Sequence, residues 1–123
     1  MVDLSGGRLR RVGSPADLVG VTDLDLSHNE LTAVPDWVGD LSSLVRLDLS
    51  NNRLAELPES IGGLTRLVEL DLSNNQLTGL PATFVNLTAL TTLELSGNPF
   101  PAVPANLPAT IALFDLNEGR SGW

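Results

Sequence analysis

Carboxylates recur in this chain at a fixed interval. Asp25, Asp48, Asp71 and Glu94 stand 23 residues apart, with Asp3 and Asp115 near the same phase at either end. A row of like charges can attract a cationic surface, gather counterions or take up protons. Hydrolytic chemistry would need partners for them, and the partners are scarce. The chain has one histidine, His28, and no cysteine. That removes thiol nucleophiles, thiolate zinc sites, iron–sulfur clusters and disulfide scaffolds together. Ser27, His28 and Asp25 can be drawn as a triad, but on an open face without an oxyanion hole His28 reads as a solvated side chain. A one-dimensional row does not wrap a hard cation in oxygens. No catalytic residue, metal or cofactor is expected.

The balance of charge narrows the partner. Against 15 Asp and Glu there are 7 Arg and no Lys, for a formal net charge of −8. Nucleic acid and anionic membranes both call for clustered cations, so neither is expected as the ligand. No apolar run approaches the ~20 residues of a membrane span. The start, Met-Val-Asp-Leu-Ser, lacks the basic and apolar stretches of a leader, so the expected compartment is cytoplasmic. Arginine without lysine points to a GC-rich, bacterial source. With 123 residues the chain has room for one compact domain.

What must position the carboxylates is an internal repeat. Val21-Thr-Asp-Leu24-Asp-Leu26-Ser-His-Asn29-Glu-Leu31 returns 23 residues on as Leu44-Val-Arg-Leu47-Asp-Leu49-Ser-Asn-Asn52-Arg-Leu54. It returns again from Leu67 to Leu77 and from Leu90 to Phe100. Leucines alternating with polar residues predict short strands with one buried face. Asn29, Asn52, Asn75 and Asn98 stand where each strand ends. Their amides can both donate to and accept from unpaired backbone, so stacking makes them a ladder. Pro35, Pro58, Pro81 and Pro104 suit the first turn of a short helix, and Gly62-Gly63 favours a 3₁₀ turn there.

This unit, L-x-x-L-x-L-x-x-N-x-L-x-x-L-P-x-x-I-x-x-L, resembles the leucine-rich repeat family. Its 23-residue length and Leu-Pro step are similar to the plant intracellular Ras-group-like and bacterial subtypes. The resemblance implies an α/β solenoid with a curved parallel sheet on the concave side and short 3₁₀, helical or extended segments outside. It divides the chain, as one domain over 1–123, into a degenerate first repeat (1–20), full repeats (21–43, 44–66, 67–89), a shortened repeat (90–110) and a terminal strand with its tail (111–123). Ile111 to Asn117 is read as a sixth parallel strand, and Gly7 and Gly119 stand where inner units carry Asn. No capping helix is evident at either end, so monomer or weak dimer through exposed end strands is expected.

Outward strand positions then form columns. The fifth holds Asp3, Asp25, Asp48, Asp71, Glu94 and Asp115, neighbours ~4.8 Å apart. The third holds Asp23, Arg46, Glu69 and Thr92, the seventh Ser27, Ser50, Ser73 and Ser96, and the eighth His28, Asn51, Asn74, Gly97 and Glu118. Nine acids and Arg46 put the full −8 on this face, while the rest of the chain balances. The expected partner-binding residues are Asp25, Asp48, Asp71, Glu94, Arg46, Glu69, His28, Asn51 and Asn74. Two readings stand for the Asp and Ser columns: partner recognition, or a phrase common to the family. Arg46 either bridges Asp23, Asp48 and Glu69 or meets a partner directly. Trp37 either covers the first apolar layer or anchors a second interface. The function expected is non-catalytic binding of a basic protein surface. The alternatives are self-association through uncapped ends, or service as the targeting domain of a larger enzyme.

Overall fold

The computed structural model describes residues 2–6, 18, 20–102, 104, 106–108, 110–111, 114–115 and 120–121. Five short strands, β1 (Val2–Asp3), β2 (Asp23–Asp25), β3 (Arg46–Asp48), β4 (Glu69–Asp71) and β5 (Thr92–Glu94), pair in parallel in chain order. There is no stagger between neighbours. Leu24, Leu47, Leu70 and Leu93 lie side by side and are buried, so each unit stacks leucine on leucine. Because side chains alternate along a strand, the same register puts Asp23, Asp25 and their counterparts on the opposite face. The ladder runs beyond the strands proper: the His28, Asn51 and Asn74 amides donate to the Ser50, Ser73 and Ser96 carbonyls at 2.8–3.0 Å.

Among the described residues, three complete 3₁₀ turns lie in the outer layer, Asp36–Asp40, Glu59–Gly63 and Ala82–Asn86. Pro35, Pro58 and Pro81 stand one place earlier than the sequence suggests, as extended residues just before each turn. A residue there needs no N–H of its own, and its carbonyl accepts the amide of Val38, Ile61 or Phe84 at 3.0–3.1 Å. Each turn closes on a leucine, Leu41, Leu64 or Leu87, with φ near −80° and ψ of 61–67°. These are inverse γ-turns, in which the amides of Ser42, Thr65 and Thr88 reach back two residues at 2.8–2.9 Å. Between sheet and turns lies one leucine-dominated core, with Ile61 and Phe84 filling its outer layer. Burying a leucine fully is worth about 1.5–3 kcal/mol, and the repeat supplies several per unit.

The carboxyl-terminal end departs from expectation. β6 (Phe114–Asp115) does not stack on β5 as a sixth parallel strand. It pairs antiparallel with β7 (Arg120–Ser121), and β7 itself pairs antiparallel with β5. Four residues containing Gly119 separate β6 from β7, a length suited to a hairpin rather than to a parallel crossover. The residue in register with Glu94 is therefore Arg120, not Asp115. The expected places of Gly7, Asn117, Glu118 and Gly119 in the repeat lie outside the described residues.

Candidate functional site on the concave sheet

The fifth-position aspartates are tied into their own strand ends. Asp25 Oδ1 accepts the Ser27 amide at 2.9 Å and the Ser27 hydroxyl at 2.6 Å. Asp48 with Ser50 and Asp71 with Ser73 repeat the arrangement, at 2.9 Å for each amide and 2.6 and 2.7 Å for the hydroxyls. Asp3 does the same for Ser5, and these bonds, the hydroxyl's first, hold the Asp3 carboxyl below its ordinary value. A side-chain oxygen taking an amide two residues on is the Asx turn that short polar residues favour. Ser27, Ser50 and Ser73 are consequently buried. This corrects the expectation that the serine column belongs to the open surface. Glu94 has one methylene more, and among the described residues it makes no such bond to Ser96.

The eighth column is set by backbone conformation. His28, Asn51 and Asn74 have φ of 56°, 57° and 56°, and Gly6 and Gly97 continue the column at 68° and 73°. Asn, His and Gly enter this left-handed region most readily, so the residue types follow from the turn. The signal was present in the sequence as a column free of branched side chains. His28 and Asn74 are exposed and Asn51 half-buried, so all three rim the concave face.

Below that rim the asparagine ladder forms as expected. Asn52 Nδ2 donates to the carbonyls of Leu26 and Leu49 at 3.0 Å and Ser50 at 3.2 Å, while its Oδ1 accepts the Leu31 amide at 3.1 Å. Asn75 and Asn98 repeat this set, and Asn29 donates to Leu4, Leu26 and Ser27. Each amide joins two adjacent units.

The two outward columns of β2–β5 line a concave depression of about 350 Å³. On β1–β5 these columns carry seven carboxylates and Arg46, a formal −6. That replaces the −8 read from the sequence, because Asp115 is displaced onto β6 and Glu118 lies outside the described residues. Arg46 Nε stands 3.5 Å from Glu69 Oε2, with side chains 61% and 46% exposed. A surface pair of this kind is worth at most about 1 kcal/mol. Among the described residues Arg46 forms no ion pair with Asp23 or Asp48, so the three-way bridge is reduced to one. Trp37 is half-buried and packs against the core, so it covers the first layer, and it also borders a second depression of about 390 Å³. No group of three or more His, Asp or Glu among the described residues is arranged to hold a metal ion. No helix among them is long and apolar enough to cross a membrane.

Short parallel strands, proline-led outer turns and a continuous asparagine ladder define a repeat solenoid with a polar concave sheet. Residues 9–110 match the family model described as the leucine-rich repeat region, and the chain belongs to the leucine-rich repeat family. A leucine-rich-repeat protein of Leptospira interrogans is 40% identical, with a TM-score of 0.69, over 73% of this chain and 24% of that one. An internalin of Listeria monocytogenes shares the fold at 24% identity and a TM-score of 0.53, over 67% of this chain and 30% of that one. The chain thus spans less than a third of either solved protein. A search of curated proteins finds no match.

Proposed function

We propose that this chain is a non-catalytic recognition module whose concave sheet takes an Arg- or Lys-rich protein segment. Leucine-rich repeats serve generally as protein–protein interaction modules, and that coarse role fits the solenoid. The observation that carries the finer reading is the register. Asp25, Asp48, Asp71 and Glu94 are direct neighbours across three consecutive strand pairs, on the wall of one depression. Like charges placed side by side are unfavourable, and a cationic partner laid across the strands relieves them. Glu69 and Asp23 widen the acidic lane. Arg46 interrupts it and sets where along the lane the partner's own acid belongs. Asn51, Asn74 and His28 supply neutral hydrogen-bonding groups along the rim.

Titration of fluorescent peptides tests this reading. An Arg-rich peptide is expected to bind and its Glu-rich counterpart to stay free; equal binding of both overturns it. Within a longer protein the same face would act as the docking part.

A further inference from the structure

We propose that the depression beside Trp37 is a second docking site, which takes an arginine side chain of a protein partner against the indole and the Asp40 carboxylate. It is built on the first 3₁₀ turn, and among the described residues it shares none with the concave depression. The inference therefore stands apart from the concave reading.

Residue spacing brings the two groups together. A 3₁₀ helix has three residues per turn, so Trp37 and Asp40 eclipse on one edge of theirs. Both line the depression, which runs to about 390 Å³. The equivalent pairs in the next two turns are Ser60 with Gly63 and Thr83 with Asn86. The repeat thus folds without an aromatic ring or a carboxylate at these places, and stacking does not account for the first turn having both. Val21 and Leu41 add apolar wall, and Ser42 and Ser43 add hydroxyls. Small-molecule sites run from about 300 to 1,000 Å³, so a space at the lower end suits one side chain.

Charge selects the occupant. Asp40 is exposed and forms no ion pair among the described residues, Asp36 on the same turn is exposed as well, and no arginine among them lines the depression. An apolar side chain seated there would strip water from the Asp40 carboxylate and return nothing, and an anionic one would be repelled. A cation is held by the carboxylate and by the electron-rich face of the indole, the most favourable aromatic partner for a positive charge. Arginine suits the pair better than lysine. Its methylene stem covers apolar wall, while its flat, weakly hydrated guanidinium both stacks on a ring and pairs with a carboxylate.

Trp37 fluorescence reads the site, once Trp123→Phe leaves it the single tryptophan. A capped Gly-Gly-Arg-Gly-Gly peptide is expected to shift its emission saturably. The citrulline counterpart, alike in shape but uncharged, should bind about tenfold more weakly. Asp40→Asn should weaken the arginine peptide to a similar degree. That side chain is exposed and the residue's bond within the turn comes from its backbone carbonyl, so the fold is kept. The absence of a saturable shift, an equal response to both peptides, or undiminished binding by Asp40→Asn each overturns the proposal. Trp37 and Asp40 both lie off the concave sheet, so the result does not depend on whether that face binds.

Discussion

Asp25, Asp48 and Asp71 each combine two properties in one side chain: an acceptor that holds a serine at the strand end, and a negative charge on the concave face. The two can be separated. Asparagine keeps the acceptor oxygen and loses the charge, while alanine loses both. Asp48→Asn and Asp71→Asn are each expected to stay within about 0.5 kcal/mol of the parent in urea unfolding, and Asp48→Ala to cost about 1–2 kcal/mol. The rim column makes a second case. Asn51→Val or Asn74→Val forces a branched residue to positive φ and should cost about 1–2 kcal/mol, whereas Asn51→Gly should be close to neutral by the same measurement. Acid acts on the equivalent bonds at Asp3. Asp3 titrates below its ordinary value in the folded state, so its contribution is complete above the unfolded value and is lost as pH falls toward the folded one. Asp3→Asn should accordingly show a shallower loss of stability on the acid side of a pH series. These roles were half legible in the sequence. The columns were visible, but the bonds that bury the serines span two residues of backbone geometry, which a repeat pattern does not report.

The outer turns pack through glycine. A Cβ on Gly39 would overlap the Ser60 carbonyl of the next unit, and one on Gly62 would come within 2.6 Å of Thr83 Cβ. The third turn has Val85 at the equivalent place, 45% exposed, because no fourth 3₁₀ turn is stacked on it among the described residues. Gly39→Ala and Gly62→Ala should each cost about 1–3 kcal/mol in denaturant unfolding through overpacking. Gly79 has open space around it and no positive φ, so Gly79→Ala should be neutral or stabilise by up to about 1 kcal/mol. Strand register, asparagine ladder and 3₁₀ turns were all readable beforehand, because each follows from a residue type repeated at one spacing. The glycine contacts were not, since they join residues that become neighbours only after the units stack. The hairpin was missed for a related reason. Its strand run resembles the repeat's, and only the reversal of direction, a tertiary property, tells them apart.

At the scale of the whole chain, stacking converts a modest per-unit acidity into one continuous face. Seven carboxylates and Arg46 stand on β1–β5 with a formal −6, and the antiparallel β7 ends the row. Such a field accelerates and steers the approach of a cationic partner and weakens as salt is added. The proposed recognition depends on charge at the concave face rather than on the scaffold beneath it. The most direct measurement is the affinity of an Arg-rich peptide, across a salt series, for the parent and for the combined Asp25→Asn, Asp48→Asn, Asp71→Asn chain. The triple variant is expected to unfold with the parent, to bind at least tenfold more weakly, a loss of about 1.4 kcal/mol, and to respond less steeply to salt. A triple variant that binds as tightly as the parent, with the same salt dependence, would contradict it.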